Sequence, residues 1–386
     1  MKTMKKTLII SAIAAALLGT GCVSNDVFSP EEKQVEICFT TPVVGSMTKA
    51  PVYGEINGTT YPTTENFVIY GVRHPNTYDG WTSDNATTYI NGGEFTYDRL
   101  YDDGTEGNGG TAGSGGWKGK DKYYWPESGV LSFGGYSPAN AHSTESGNGK
   151  GRFEYGASGL VINGFSVHYD ASKQQDVMYA PRIYNKESNA GGTNTVYDGV
   201  DIAFKHALSS IQFKVQLSAD YSSTFVLKSI KVDGVYYSGT FKENVADNNT
   251  ANYAIDPETG TGWTVTTTVK NTAPYVAFSG SVQLNKNTGD DAKNYINQYL
   301  ALDGVDGQND LILMPQVLPD EAELEIVYTV NGKEESSTVK LSDLNIKEWV
   351  MGQRYTYNIT LGYDLILVGA TVKNWDEEDD VNIPIN

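Results

Sequence analysis

The sequence predicts an all-β protein made of two tandem antiparallel β-sandwich domains. Glycine and tyrosine are frequent, with 41 and 26 residues in a chain of 386, and this composition favours short strands joined by turns. Segments of alternating apolar and polar residues follow one another, and no segment after the N-terminal leader has a helical period of convincing length. We place the two domains at residues 35–200 and 201–386.

The N-terminal residues "MKTMKKTLIISAIAAALLGTGC" predict an export signal. A lysine-rich start is followed by an apolar run from Leu8 to Leu18, which is too short to span a membrane as a helix, and then by small residues. This order is typical of a signal peptide. We therefore expect cleavage between Gly21 and Cys22 to remove residues 1–21 and to leave residues 22–34 as a polar tether.

Cys22 directly follows small residues and resembles the cysteine of a bacterial lipobox, whose thiol receives diacylglycerol after export. Gly19 stands where a large apolar residue is usual, with Leu18 one place earlier. The resemblance implies a lipoprotein anchored to outer-membrane lipid through Cys22, and the alternative is ordinary secretion. Acylation of Cys22 would leave Cys38 unpaired, because the chain has two cysteines. We therefore expect no disulfide framework.

The first predicted strand is "VEICFTT", in which Val35, Ile37 and Phe39 share one face. The N-terminal domain continues with the predicted strands "NFVIYGVRH", "KYYWP", "VLSFGGYSP", "FSVHYD" and "QQDVMYAPRIYN". The glycine-rich span from Tyr101 to Gly119 is predicted to be a loop. It lacks a strand-to-helix pattern, so its glycines do not indicate a phosphate site.

The C-terminal domain has a similar series of predicted strands. They are "DIAFKHALSSIQFKV", "FVLKSIKVDGVYYSGTF", "GWTVTTTV", "DLILMPQVL", "AELEIVYTV", "ESSTVKL", "RYTYNITL" and "LILVGATVKNW". Asn331 and Gly332 predict a tight hairpin between "IVYTV" and "KEESSTV". "SDLNIKEW" predicts a single helical turn.

Seven of these segments occur in an order that resembles the fimbrillin family of Bacteroides-type bacteria, the subunits and anchors of their fimbriae. They are "KYYWPESGVLSFGGYSPA", "QQDVMYA", "VDIAFKHALSSIQFKV", "IKVDGVYYSGTF", "LILMPQVL", "EWVMGQRYTYNITL" and "ATVKNW". The resemblance extends from about Val35 to Trp375. It implies transthyretin-like sandwich domains, lipoprotein export and a place in a fimbrium that mediates adhesion. It also implies assembly with other fimbrial subunits by strand exchange, after an outer-membrane protease removes the N-terminal strand.

The sequence offers a candidate for that processing step. Residues 35–41 form an alternating strand, with Val35, Ile37 and Phe39 as candidate inward side chains for strand exchange. The stretch "SMTKAP" follows, where a basic residue lies among small and polar ones. Lys49–Ala50 is therefore the candidate cleavage bond, and the alternative is that Lys49 is an ordinary surface lysine.

The composition and motifs point away from catalysis, cofactors, metals and nucleic acid. A net charge of −19 does not suit phosphate binding. The histidines show no zinc-binding spacing, and no nucleophile elbow, P-loop or CxxC motif occurs. We interpret His206, in "FKHALSSIQF", as a structural, partly buried residue bonded to backbone. The acidic tail "DEEDD" lacks calcium-loop spacing and is interpreted as a solvated linker.

The alternative function is a glycan-binding surface lipoprotein of a polysaccharide-uptake system. Several tryptophans could stack on sugar rings, although most are expected in the core or as loop anchors: Trp81, Trp117, Trp125 and Trp263. Aromatic side chains clustered on one exposed loop face, together with the lack of a removable first strand, would favour this alternative. A groove that holds residues 35–41 would favour the fimbrial one. The sequence leaves the stalk, anchor and tip roles open, together with the host or bacterial surface ligand.

Overall fold

The computed structural model describes residues 36–39, 43–44, 61–75, 86–98, 116–144, 148–187, 199–219, 221–243, 262–284, 295–296, 298–302, 310–363 and 366–375. These residues form strands joined by turns and short 3-10 helices, which confirms the predicted all-β class. The 3-10 helices are Ala139–Ala141, Ala171–Lys173 and Leu341–Asp343. The strands are β1 (Cys38–Phe39), β2 (Val43–Val44), β3 (Phe67–His74), β4 (Thr87–Asp98), β5 (Gly116–Gly119), β6 (Val130–Ser137), β7 (Arg152–Gly156), β8 (Gly159–Ser166), β9 (Met178–Lys186), β10 (Ala203–His206), β11 (Ser209–Leu217), β12 (Phe225–Asp233), β13 (Ser238–Lys242), β14 (Gly262–Val265), β15 (Tyr275–Gln283), β16 (Leu300–Ala301), β17 (Leu311–Leu313), β18 (Gln316–Val317), β19 (Glu323–Val330), β20 (Lys333–Lys340), β21 (Glu348–Trp349), β22 (Gln353–Leu361) and β23 (Ile366–Asn374).

The largest sheet in the described part of the chain has eight strands in the order β1-β5-β4-β3-β6-β9-β10-β2. Its two outermost strands, β1 and β2, come from one short stretch near the N-terminus. We call this stretch, residues 36–39 and 43–44, the closing segment. It contacts both ends of the six-stranded array β5-β4-β3-β6-β9-β10 and so joins them.

Strand β3 separates two hydrophobic cores. Phe67 and Ile69 point into the first core, which also contains the buried side chains of the closing segment. Val68 and Tyr70 point into the second core, which continues through the C-terminal half to Trp375. A strand buried on both faces needs consecutive apolar residues rather than alternation. This requirement explains the unbroken run "FVIY".

The other sheets belong mainly to the C-terminal half. Strands β16-β11-β22-β23 form one sheet, with β17 also paired to β11, and β15-β12-β19-β20 form another. A further sheet, β14-β13-β8-β7, combines strands from both sides of residue 200. Strand β10 also follows residue 200 and joins the first sheet. The division at residues 35–200 and 201–386 and the transthyretin-like character stay predictions.

Local turn chemistry was predictable from the sequence. Strands β19 and β20 pair in register as a hairpin whose two-residue loop is Asn331 and Gly332. Both loop residues have positive φ, 50° and 81°, as a type I′ turn requires. The predicted hairpin is confirmed, and so is the single turn in "SDLNIKEW", which the 3-10 helix at Leu341–Asp343 supplies.

Two expectations about the first sheet were wrong. The span from Tyr101 to Gly119 was predicted to be loop, but Gly116–Gly119 forms β5 between β1 and β4. The fully buried Trp117 side chain holds this short strand against the first core. Conversely, the predicted strand "KYYWP" lies in a loop, with an isolated bridge at Tyr124.

Candidate functional site

The side chain of Phe39 lies at the centre of the first core. Its ring is 0% exposed and meets three other phenylalanine rings edge-on. The centroid distances are 6.0 Å to Phe67, 4.9 Å to Phe95 and 5.4 Å to Phe133. These rings come from β3, β4 and β6, so one side chain of the closing segment packs against three strands of the array. Edge-on contacts of this kind are a favourable geometry for aromatic pairs.

Backbone hydrogen bonds hold the closing segment on both sides. On one side β1 runs antiparallel to β5, with Phe39 opposite Trp117, and the Ile37 amide donates to the Tyr123 carbonyl at 2.7 Å. On the other side the Val200 amide donates to the Cys38 carbonyl at 2.9 Å. Strand β2 then runs parallel to β10. The segment therefore satisfies the polar edges of two otherwise separate strands.

The seat of the closing segment is apolar. Ile37, Phe39 and Val44 are all 0% exposed. Tyr61 also belongs to this core and directs its hydroxyl to Ser137 Oγ at 2.7 Å. Burial raises the pKa of Tyr61 well above its usual value, so its phenol is neutral at physiological pH. Removal of the closing segment would leave a hydrophobic groove with unpaired backbone along both sides.

Most of the candidate residues for export and processing belong to parts of the chain that the structure does not describe. Gly21, Cys22, Val35, Lys49 and Ala50 lie outside the described residues. Their predicted roles in signal cleavage, lipidation, strand exchange and processing stay predictions. The described chain stops at Val44 and resumes at Tyr61 on the far side of the predicted cleavage bond.

Cys38 differs from expectation, because it is disulfide-bonded rather than unpaired. The sequence contains one other cysteine, Cys22. Cys38 is also buried, at 1% exposure, like Ile37 and Phe39 on either side of it.

His206 is more deeply buried than expected and has a different partner. Its side chain is 1% exposed, and Nδ1 lies 2.9 Å from a carboxylate oxygen of Asp176, which is 0% exposed. The imidazole ring also stacks on Trp375, with a centroid distance of 4.2 Å and an interplanar angle of 4°. The expectation of partial burial was wrong, and the contact with Asp176 was not predicted. His206 joins β10 to the loop before β9 and to the end of β23, and its structural role stays a prediction.

Sequence reasoning named Trp117 but did not place it opposite Phe39, which it faces across β1 and β5. A lone tryptophan between glycines in "GGWKGK" was the available signal, since a large apolar residue in a polar loop needs burial somewhere. Of the other tryptophans, Trp263 is fully buried and Trp125 is 7% exposed. Trp81 lies outside the described residues.

Within the described ranges, no group of three or more His, Cys, Asp or Glu side chains is placed to hold a metal ion. In the same ranges, no helix is long and apolar enough to cross a membrane.

A protein-family model and several solved structures are similar to this chain. The model of the fimbrillin-like family matches residues 76–375, and the chain belongs to this family. Two solved structures are similar at 16% identity. A fimbrial protein from Bacteroides vulgatus has a TM-score of 0.49 and covers 87% of this chain and 99% of its own. A candidate cell adhesion protein from Bacteroides uniformis has a TM-score of 0.47, with 90% and 100% covered.

The tip fimbrial protein Mfa3 from Porphyromonas gingivalis, with a C-terminal truncation, is similar at 11% identity and a TM-score of 0.33, with 89% of this chain and 100% of that chain covered. No curated protein matches this sequence. Membership of the fimbrillin-like family supports a non-enzymatic fimbrial role at the cell surface.

Proposed function

We propose that this fimbrillin-like chain is exported as a lipoprotein and joins other fimbrial subunits by strand exchange at the seat of the closing segment. The observation that carries the proposal is the position of Phe39, which fills the first core from a segment paired to β5 on one side and to β10 on the other. Cleavage after Lys49 would free both β1 and β2 from the array that they close. A neighbour's extended strand would then take their place.

The energetics favour such an exchange. An empty seat would expose the apolar contacts of Ile37, Phe39 and Val44, and each large side chain contributes about 1.5–3 kcal/mol when buried. The edges of β5 and β10 would also lose their backbone partners. A foreign strand restores both contributions, whereas the attached segment blocks the seat. The uncleaved chain should therefore remain monomeric, and the joint between cleaved subunits should resist detergent until it is heated.

Limited trypsin digestion of the purified precursor tests this proposal. We expect cleavage at Lys49–Ala50 to produce a ladder of polymers on unheated gels, and N-terminal sequencing should identify Ala50 as the new first residue. Lys49→Gln should abolish both the cut and the ladder. Lys33→Gln is the matched control, because a cut at Lys33 leaves the closing segment attached, and it should not change the ladder. A chain cut at Lys49 that stays folded and monomeric would exclude the mechanism.

The anchor is tested separately. Cys22→Ala should abolish incorporation of radioactive palmitate and release the protein from the outer-membrane fraction, because the acylated thiol is then missing. Cys38→Ala is the matched control and should retain the label. Undiminished labelling of Cys22→Ala would show that the lipid is attached elsewhere.

A further inference from the structure

The first sheet has a second feature, which is open to solvent while the closing segment is in place. A surface cavity of about 390 Å³ lies where the loop after β5 passes over β4. We call it the aromatic pocket. It is lined by Tyr89, Lys122, Tyr123, Tyr124, Trp125, Pro126 and Glu127.

The loop that forms the aromatic pocket is held in place at several points. At its start, the Lys120 amide donates to the Glu94 carbonyl at 2.8 Å, and the two side chains form an ion pair at 2.6 Å. At its end, the Arg73 guanidinium donates to the backbone and side-chain oxygens of Ser128 at 3.0 and 3.1 Å. A loop fixed at both ends loses little conformational freedom when a ligand binds.

The aromatic rings of the pocket are also fixed. The Tyr89 hydroxyl donates to the Tyr124 carbonyl at 2.6 Å, which ties a ring on β4 to the loop. Tyr89 nevertheless remains 37% exposed. Trp125 is anchored below the surface, edge-on to Phe133 at 5.9 Å. The pocket therefore combines the partly exposed ring of Tyr89 with the buried ring of Trp125, and both rings are held in place by their contacts.

The chemistry of this lining selects one class of ligand. Aromatic faces bind the apolar C–H face of a pyranose ring, and the hydroxyls of the same ring suit the polar groups at the rim. The charged groups that line the pocket are one lysine, Lys122, and one glutamate, Glu127, so the rim favours neither a polyanion nor a polycation. Burial raises the pKa of Tyr89 and Tyr123, so both phenols are neutral at physiological pH. The Tyr89 hydroxyl already donates its hydrogen to the Tyr124 carbonyl, and its oxygen can accept a hydrogen bond from a sugar hydroxyl.

We propose that the aromatic pocket binds a neutral oligosaccharide, with one pyranose ring stacked on Tyr89. This inference does not depend on strand exchange, because the pocket is complete while the closing segment is in place. The Ile37–Tyr123 hydrogen bond even joins the closing segment to the pocket loop. A fimbrial subunit with such a pocket would attach its fimbrium to glycans on another surface.

Calorimetric titration of the uncleaved, full-length exported chain tests the proposal. The probes are four neutral hexasaccharides (maltohexaose, cellohexaose, xylohexaose and mannohexaose) and one anionic hexasaccharide of hyaluronan. We expect at least one neutral probe to bind. Tyr89→Ala should weaken that binding by about tenfold, whereas Tyr89→Phe, which keeps the ring, should weaken it far less. Tyr169→Ala is the matched control, since Tyr169 is 62% exposed and lies outside the pocket.

Several results would overturn the proposal: no neutral probe binds, only the hyaluronan probe binds, or Tyr89→Ala binds as tightly as the unchanged chain. Circular dichroism checks that each variant is folded. If Tyr89→Ala does not fold, Glu127→Ala replaces it, because Glu127 is exposed on the rim and its loss should still weaken binding several-fold. Polymer formation by a chain that fails to bind sugar would leave the proposed strand exchange intact, so the two proposals can fail independently.

Discussion

Replacement of Phe39 by alanine is expected to lower the free energy of unfolding by about 3–5 kcal/mol, as is usual for a fully buried phenylalanine. The Phe39 ring is 0% exposed and packs edge-on against three rings from three strands. Neighbouring side chains cannot all move to fill the cavity, because β3 also packs against the second core on its other face. Urea unfolding followed by tryptophan fluorescence measures the effect, since Trp117 lies opposite Phe39.

The comparison variant is Tyr169→Ala, which also truncates an aromatic ring. Tyr169 is 62% exposed, so its loss should change the unfolding free energy by no more than about 0.5 kcal/mol. Phe39→Ala should in addition speed trypsin cleavage near Lys49, because the closing segment then leaves its seat more often. A Phe39→Ala chain with unchanged stability and unchanged cleavage rate would contradict the central role assigned to Phe39.

The burial of the closing segment was partly predictable from local pattern. Alternation in "VEICF" places Ile37 and Phe39 on one face whatever strands lie beside them, because the side-chain period of a strand is two. Both residues are buried in the first core. The partners of the segment were not predictable in this way. Trp117 and Val200 lie far away in sequence, and their pairing depends on how the whole array curves.

Contacts that depend on tertiary geometry account for the other misses. "FKHALSSIQF" indicates that His206 lies on a mostly apolar strand, but Asp176 belongs to an earlier loop and Trp375 follows the last described strand. No local period links these three residues. Strand β5 was also missed, because the glycine-rich composition around it predicts a loop and a single tryptophan does not change that prediction. The segment "KYYWP" shows the opposite error. Its residues have strand propensity, but in the structure it is a loop with an isolated bridge to Glu36 of the closing segment.

The buried His206–Asp176 pair should have the second large effect. Asp176→Ala and His206→Ala are each expected to lower the free energy of unfolding by about 3–5 kcal/mol, because removal of one partner leaves the other buried without it. His206→Ala also removes the ring that stacks on Trp375. The double variant should lose less than the sum of the single variants, with a coupling of about 0.5–3 kcal/mol. Urea unfolding of all four chains measures this cycle.

The control for the cycle is Lys333→Ala, which breaks the exposed Lys333–Glu335 ion pair on β20 and should leave stability unchanged within error. A structural role further requires that fimbrial yield and adhesion fall only in proportion to the folded fraction of each variant. His206→Phe sharpens this test, because it keeps a ring against Trp375 while it removes the nitrogen that faces Asp176. Loss of adhesion in a His206→Phe chain of normal stability and normal fimbrial yield would show that the histidine itself acts in function, against the structural interpretation.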